Sequence, residues 1–133
     1  MKLLTRNTDY AIRAVCYIAG NKKELISAKE LVGALKIPRP FLRKILQRLN
    51  KSGIVRSYKG LGGGFKLALP VNKIFLTDII EAFQGPFVLN ECSFRKALCP
   101  NKKICPLKKR IDKIEGYVTA QLKSITISEL LKG

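Results

Sequence analysis

The sequence contains no histidine and no tryptophan among its 133 residues. Histidine is the commonest general base in enzymes and a usual zinc ligand, so its absence argues against histidine-dependent catalysis and most structural zinc sites. The sequence also has no pair of carboxylates whose surroundings indicate an active-site pocket. Asp78 and Glu81 are better explained as residues near the start of a helix. These absences predict that the protein is not an enzyme.

Long apolar stretches are missing as well. No apolar run reaches the roughly 18 residues that a membrane-spanning helix needs. The N-terminal stretch MKLLTRNTDY lacks the apolar centre of a signal peptide. We therefore expect a cytoplasmic protein without a membrane partner.

Acidic residues are scarce, with 9 Asp and Glu against 26 Lys and Arg and a formal net charge of +17. The imbalance is concentrated in the first half, because no acidic residue occurs between Leu31 and Thr77. Such a one-sided charge distribution attracts polyanions, of which nucleic acid is the commonest. An anionic membrane surface is the lesser alternative.

Helix signals follow one another closely in the N-terminal half. Thr8 or Asp9 can cap a first helix, whose apolar residues recur at helical spacing. Ser27 and Glu30 form a capping-box pattern that predicts the start of a short second helix. Pro40 suits the first turn of a third helix.

The third helix is amphipathic and precedes a hairpin. Its sequence PFLRKILQRLNKSG places Phe41, Leu42, Ile45, Leu46 and Leu49 inward. The segments IVRSY and FKLAL alternate like half-buried strands, and KGLGGG joins them in a tight turn. The order of elements predicts a mainly α fold with a small β-hairpin, a winged helix-turn-helix.

The C-terminal part contains three further helix patterns. Thr77 can cap a helix with the sequence TDIIEAFQ. A narrow apolar stripe then predicts a long helix that packs against another helix, and we expect its twofold mate as the partner. The alternative is a helix that folds back on its own domain. The positions of the stripe alternate in steps of three and four: Ile104, Leu107, Ile111, Ile114, Val118, Gln121 and Ile125. Thr126 and Glu129 form the capping box of a short last helix.

These patterns divide the chain into three parts. Residues 1–84 are expected to form the DNA-binding domain and residues 85–106 a loop that carries a cysteine cluster. Residues 107–133 are expected to form the long dimerisation helix and the short C-terminal helix.

The outer face of the third helix is the predicted DNA-reading surface. A recognition helix presents arginine or amide groups to base edges from its N-terminal half, where Arg39, Arg43 and Lys44 stand. Lys59 at the hairpin tip is expected to enter the adjacent minor groove. The complete set of predicted DNA contacts is Ser27, Arg39, Pro40, Arg43, Lys44, Gln47, Arg48, Lys59, Gly60, Gly62 and Gly63.

Three of the four cysteines, Cys92, Cys99 and Cys105, lie within one short segment among lysines and prolines. Lysines favour the thiolate form, and clustered cysteines in the cytosol are more often metal-binding or redox-active than structural disulfides. An iron–sulfur cluster with one non-cysteine ligand and a zinc site completed by a carboxylate both fit these residues. The fourth cysteine, Cys16, is expected to pack as a small apolar side chain.

The combination of motifs resembles the Rrf-two family of bacterial transcription regulators, with its IscR-like and NsrR-like iron–sulfur members. The resemblance extends from TDYAIRAVCYIA through the recognition unit IPRPFLRKILQRLNKSGIV and the wing SYKGLGGGFKLAL to the closing SITISEL. It implies a homodimer that binds a palindromic operator in double-stranded DNA, in most cases as a repressor, and that senses redox, nitric oxide or iron–sulfur status.

The same resemblance implies an iron–sulfur cluster held by Cys92, Cys99 and Cys105. The IscR-like branch has a histidine three positions after the third cysteine, whereas this chain has Lys108. In the NsrR-like branch an aspartate of the other protomer completes a four-iron cluster, and Asp9 matches that position. A four-iron cluster is therefore favoured over a two-iron one, with Glu91 or an exogenous group as the other candidate ligand. The cluster can be lost from protein prepared in air. A cluster-free or zinc-binding basic nucleic-acid-binding protein is the alternative function.

Overall fold

The structure is a computed structural model that describes residues 3–87 and 106–133. Its elements in chain order are α1 (Arg6–Gly20), α2 (Ala28–Leu35), α3 (Arg39–Lys51), β1 (Val55–Tyr58), β2 (Gly64–Leu67), α4 (Leu76–Gln84), α5 (Pro106–Ser124) and α6 (Ile127–Lys132). A single 3₁₀ turn, Val71–Lys73, connects β2 to α4. The predicted class, mainly helical with one hairpin, is confirmed.

The hairpin forms the wing beside the first three helices. β1 and β2 pair antiparallel, with Val55 opposite Leu67 and Tyr58 opposite Gly64. Ile26, between α1 and α2, adds a bridge to β2, because its N–H donates to the Phe65 carbonyl at 3.0 Å and its carbonyl accepts from the Phe65 N–H at 2.8 Å. This bridge fixes the wing relative to the start of α2.

The main core lies where α1, α2 and α3 meet the wing. The inward residues of α3 are buried as their 3.6-residue periodicity predicts: Leu42, Ile45, Leu46 and Leu49. Burying such side chains contributes about 1.5–3 kcal/mol each relative to exposure. Ile127 of α6 is also fully buried in this core, so the C-terminal helix packs on the part of the chain formed by the first three helices and the wing.

A second, smaller core joins α5 to α4. Leu122 packs with Leu76 and Ile80. A backbone bridge between Phe75 and Thr126 strengthens this junction, because the Leu76 N–H donates to the Ile125 carbonyl at 2.9 Å. The C-terminal end of α5 is therefore anchored to α4.

Two predicted helix caps are wrong. α1 begins at Arg6, because the Thr5 hydroxyl accepts from the Thr8 N–H at 3.3 Å, and Thr8 itself is fully buried within the helix. α4 begins at Leu76, where the Asp78 carboxylate accepts from the Phe75 N–H at 2.9 Å. Neither Asp9 nor Thr77 is therefore a cap, since both follow a residue that is already helical.

Phe41 is a further correction. It was expected to face inward, but it is 50% exposed. Four other side chains of α3 already fill the buried stripe, and Phe41 falls on the border between that stripe and the basic face. The second strand is also shorter than predicted, ending at Leu67 rather than Leu69.

Candidate nucleic-acid interface

A groove of about 850 Å³ runs between α3 and the wing. Four predicted DNA contacts line it: Arg39, Arg43 and Gln47 from α3 and Lys59 from the wing. Arg39, Arg43 and Gln47 follow one another at four-residue steps and therefore share one stripe of the helix. All four side chains are exposed. The structure thus assembles one polar, basic groove from two separate parts of the chain.

Two further residues of this groove, Asn50 and Ser57, were not predicted. Asn50 stands three residues after Gln47 and continues the same stripe, so the helical spacing could have identified it. Ser57 lies on β1 opposite Phe65, and only the folded hairpin brings it beside α3.

The other side of α3 borders a second groove, of about 650 Å³, against α4. Lys44, Arg48 and Lys51 line this groove together with Phe41 and Phe83. Arg48 Nη1 donates to the Ala82 carbonyl at 3.2 Å, and its guanidinium carbon lies 5.9 Å from the centre of the Phe83 ring. Arg48 is thus held by α4 and does not line the groove that contains Arg39 and Arg43.

The wing turn contains the glycines that its geometry requires. Gly60 and Gly62 have φ values of 98° and 77°, in the left-handed region that favours glycine. The Gly63 N–H donates to the Gly60 carbonyl at 3.0 Å and closes the turn. Between the glycines, Leu61 is fully exposed. The turn therefore presents backbone and a single apolar side chain at its tip.

The start of α2 is held by side chains of α1 and the following loop. The Ser27 hydroxyl accepts from the Glu30 N–H at 3.1 Å, which confirms the predicted cap. The Glu30 carboxylate does not reach back to Ser27. It accepts instead from the Tyr17 hydroxyl at 2.9 Å, from Asn21 Nδ2 at 3.1 Å and from Lys23 Nζ at 2.8 Å. This Glu30 network ties the end of α1 to the first turn of α2.

The pKa values in the Glu30 network follow from these contacts. The hydrogen bond from Lys23, followed by that from Tyr17, lowers the pKa of Glu30. The hydrogen bond to Glu30 raises the pKa of Lys23 and that of the Tyr17 hydroxyl. Near neutral pH the network therefore holds a carboxylate, an ammonium group and a neutral phenol.

The predicted cluster ligands are only partly described. Cys92, Cys99 and Cys105 lie outside the described residues, as does Glu91. Asp9 lies in the first turn of α1, half-buried, and its carboxylate oxygen is 3.0 Å from Arg13 Nε. Within residues 3–87 and 106–133, no three Cys, Asp or Glu side chains are grouped closely enough to hold a metal ion.

Cys16 is half-buried against the main core, as predicted for a small apolar side chain. Burial raises the pKa of its thiol. A raised pKa disfavours the thiolate, so Cys16 lacks the character of a reactive or metal-binding cysteine.

Two residues of the predicted apolar stripe of α5 are exposed, Leu107 by 67% and Ile114 by 51%, whereas Ile111 and Val118 are half-buried. Tyr117, beside the stripe, is 68% exposed. Ile104 lies outside the described residues. Among the described residues no helix is both long and apolar enough to cross a bilayer. The stripe is a narrow face of an otherwise polar helix.

Comparison with known proteins assigns this chain to one family. The family model Rrf2, described as "Iron-dependent Transcriptional regulator", matches residues 4–133. An HTH-type transcriptional regulator of Aquifex aeolicus is 34% identical over 92% of this chain and 86% of its own length. The HTH-type transcriptional regulator NsrR of Oceanobacillus iheyensis is 33% identical over 97% of this chain and 89% of its own length.

Solved structures agree on the fold. CymR, the global cysteine regulator of B. subtilis, superposes with a TM-score of 0.83 at 22% identity, covering 99% of this chain and 98% of CymR. IscR of T. potens superposes with a TM-score of 0.78 at 23% identity, covering 99% of this chain and 87% of IscR. The family consists of transcriptional regulators, which confirms the prediction that the chain is not an enzyme. From its first helix to its last, this chain belongs to the Rrf2 family of transcriptional regulators.

Proposed function

We propose that this protein is a repressor that binds a palindromic operator in double-stranded DNA as a homodimer. The observation that carries the proposal is the groove between α3 and the wing, in which Arg39, Arg43, Gln47 and Lys59 meet. No acidic residue occurs from Leu31 to Thr77, the stretch that contains both walls of this groove. A basic helix beside a hairpin suits the major groove and the adjacent minor groove.

Within this proposal Arg39 and Arg43 read base edges, because arginine forms bidentate hydrogen bonds to guanine in the major groove. Lys44, on the neighbouring stripe of α3, faces the sugar–phosphate backbone at the rim of the site. Lys59 probes the minor groove. DNA contacts are also proposed for Ser27, Pro40, Gly60, Gly62 and Gly63.

Dimerisation is proposed through the exposed stripe of α5. Leu107, Ile114 and Tyr117 are more than half exposed in the single chain, and their spacing suits packing against a second helix. A twofold-related copy would cover this face and supply the second recognition helix that a palindromic operator requires. The division into residues 1–84, 85–106 and 107–133 and the cytoplasmic location both remain predictions.

The test of DNA reading is Arg43→Ala, with Lys109→Ala on α5 as a control outside the groove. A duplex selected by the wild-type protein from a randomised pool serves as the operator. Loss of a bidentate base contact is expected to weaken operator binding by about 1–3 kcal/mol and random-duplex binding much less, at fixed salt. Equal losses on both duplexes would make Arg43 a phosphate contact only. If the wild-type protein selected no duplex, the proposed function would fail.

We further propose that the protein senses redox, nitric oxide or iron–sulfur status through a cluster held by Cys92, Cys99, Cys105 and Asp9. Three thiolates and a carboxylate are a donor set suited to iron, and a non-thiolate ligand leaves an iron atom open to small molecules. The family description and the relatives named NsrR and IscR support this proposal. A bound cluster would supply redox and nitric-oxide chemistry that none of the amino-acid side chains provides.

Asp9 fits this role with one requirement. Its carboxylate is on the first turn of α1 and only 44% exposed, but it already pairs with Arg13. Ligation therefore requires Arg13 to give up or share that oxygen. Asp9 can therefore pair with Arg13 and still act as a ligand for the cluster of the other protomer, because a surface carboxylate loses little free energy when it gives up an exposed ion pair.

The relatives also suggest a second signal. CymR of B. subtilis is described as a global cysteine regulator. CymR of Staphylococcus aureus has been crystallised in an oxidised form. The cysteines of this chain could thus respond to thiol oxidation without iron. Anaerobic purification separates the two cases: iron, acid-labile sulfide and a four-iron Mössbauer spectrum are expected for the cluster. Colourless protein with stoichiometric zinc would exclude it, and a spectrum unchanged in Asp9→Ala would remove Asp9 from the ligand set.

A further inference from the structure

The last turn of α4, comprising Ala82, Phe83 and Gln84, contacts two other helices through side chains. The first contact is made by Arg48 of α3. Its guanidinium donates to the Ala82 carbonyl at 3.2 Å and lies over the Phe83 ring at 5.9 Å. α4 ends at Gln84, and the N–H of the following Gly85 donates to the Glu81 carbonyl. The Ala82 carbonyl therefore belongs to the last turn, whose carbonyls lack partners within the helix. Arg48 supplies this partner, and a cation is favoured at this negative end of a helix dipole.

The second contact reaches the start of α1. Gln84 Oε1 accepts from the Thr5 N–H at 2.9 Å, and Gln84 Nε2 donates to the Leu3 carbonyl at 3.3 Å. Thr5 is the residue that caps α1. The amide of Gln84 therefore holds the chain at the point where α1 begins, four residues before Asp9.

These contacts join α1, α3 and α4 at one turn. α3 carries the predicted reading residues, and α1 carries the proposed ligand Asp9. The segment with Cys92, Cys99 and Cys105 follows the same turn in sequence, beginning shortly after Gly85. This turn is thus one of the two covalent connections of the cysteine segment to the folded chain, and the other is the start of α5 at Pro106.

We propose that Arg48 is a positioning residue rather than a DNA contact, and that Arg48 and Gln84 together fix the orientation of the recognition helix through the last turn of α4. The inference rests on the proposed function, because it presumes that α3 reads DNA. Arg48 acts on this reading through Ala82 and Phe83. Gln84 acts through Thr5 and the start of α1. Neither side chain lines the groove with Arg39 and Arg43.

Salt dependence separates positioning from direct contact. Each phosphate contact adds about 0.9 to the slope of log affinity against log salt. We would measure binding of the selected duplex and of a scrambled duplex from about 50 to 200 mM salt. The variants are Arg48→Ala and Gln84→Ala, with Lys44→Ala as the phosphate-contact control and Lys109→Ala, on the face of α5 away from the apolar stripe, as the control outside both surfaces.

For Arg48→Ala and Gln84→Ala we expect selected-duplex affinity to fall at least about fivefold, the lower end of typical coupling between sites. Scrambled-duplex affinity and the salt slope should stay near wild type. Lys44→Ala should weaken both duplexes and lower the slope by about 1. A slope reduced by about 1 in Arg48→Ala would make Arg48 a phosphate contact and overturn the proposal, as would unchanged selected-duplex affinity. If Lys44→Ala also leaves the slope unchanged, Lys44 is not a phosphate contact, and a loss of affinity confined to the selected duplex in Arg48→Ala still supports the positioning role.

If Arg48→Ala does not fold, Arg48→Lys is the variant that tests the proposal. Lysine keeps the charge but lacks the planar guanidinium that both stacks on Phe83 and bonds Ala82. Positioning predicts reduced selectivity between the two duplexes despite the retained charge. A phosphate contact predicts near wild-type behaviour, and that result would refute the positioning role.

Discussion

The exposed stripe of α5 allows a quantitative prediction about dimerisation, tested by Ile114→Ala. Ile114 is 51% exposed in the single chain. Burying a whole isoleucine side chain contributes about 1.5–3 kcal/mol, so covering the exposed half in a dimer contributes roughly 0.8–1.5 kcal/mol per protomer. In a twofold interface the substitution is present in both protomers, so its free-energy effect enters twice. We therefore expect a dimer weaker by roughly 1.5–3 kcal/mol, or roughly 10- to 150-fold in dissociation constant.

The assay is sedimentation velocity over a concentration series, with Lys109→Ala as the matched control. Lys109 is exposed and lies five residues before Ile114, about 140° around the same helix. It should leave the dimer unchanged. Ile114→Glu would bury an unpaired carboxylate in the interface and should leave mostly monomer at micromolar concentration. If Ile114→Ala and Ile114→Glu both dimerise as tightly as Lys109→Ala, the stripe is not the interface.

Three further predictions concern the scaffold that holds the groove. Ser27→Ala removes the cap of α2 and should lower the free energy of unfolding by about 1 kcal/mol, measured by urea denaturation; an unchanged midpoint would mean that water replaces the hydroxyl. Glu30→Gln should lower the free energy of unfolding near pH 7. Because the pKa of Glu30 is lowered in the folded protein, the stability difference between wild type and variant should shrink as the pH falls from above the ordinary pKa of glutamate through the pKa of folded Glu30. A wild-type advantage that is independent of pH would contradict the assignment to the ionised carboxylate. Gly64→Ala would place a methyl group 2.7 Å from the Ile26 carbonyl oxygen, so thermal unfolding should occur at lower temperature and operator binding should weaken. Gly33→Ala meets nothing within 4 Å and is the matched control.

The predictions from sequence succeeded where a local pattern has one physical solution. The inward stripe of α3 is buried because apolar residues at helical spacing have a single face to bury. Gly60 and Gly62 of the wing turn have positive φ because the turn requires it. Ser27 and Thr126 cap their helices because their hydroxyls meet backbone N–H groups three residues on.

Local patterns failed where several residues could serve equally well. Thr5, Thr8 and Asp9 are all acceptable caps, and packing chose Thr5 by burying Thr8. Phe41 shows the same limit on α3. Periodicity assigns a side chain to a face of its helix, but it does not say which neighbouring element covers the border of that face.

By itself the sequence determined the class of the protein. Three features indicate this class: the excess of positive charge, the helix–helix–helix–hairpin order and the spacing of the capping residues. Each is either a pattern within a few residues or a sum over the whole chain, so it can be recognised without any three-dimensional contact. Tertiary structure alone decided which cations share the groove with the wing, because Arg43 and Lys59 are distant in sequence and meet only when the hairpin folds back on α3. It also decided that Arg48 contacts α4. A long cationic side chain takes the nearest unpaired carbonyl, and the position of the Ala82 carbonyl depends on how the helices pack.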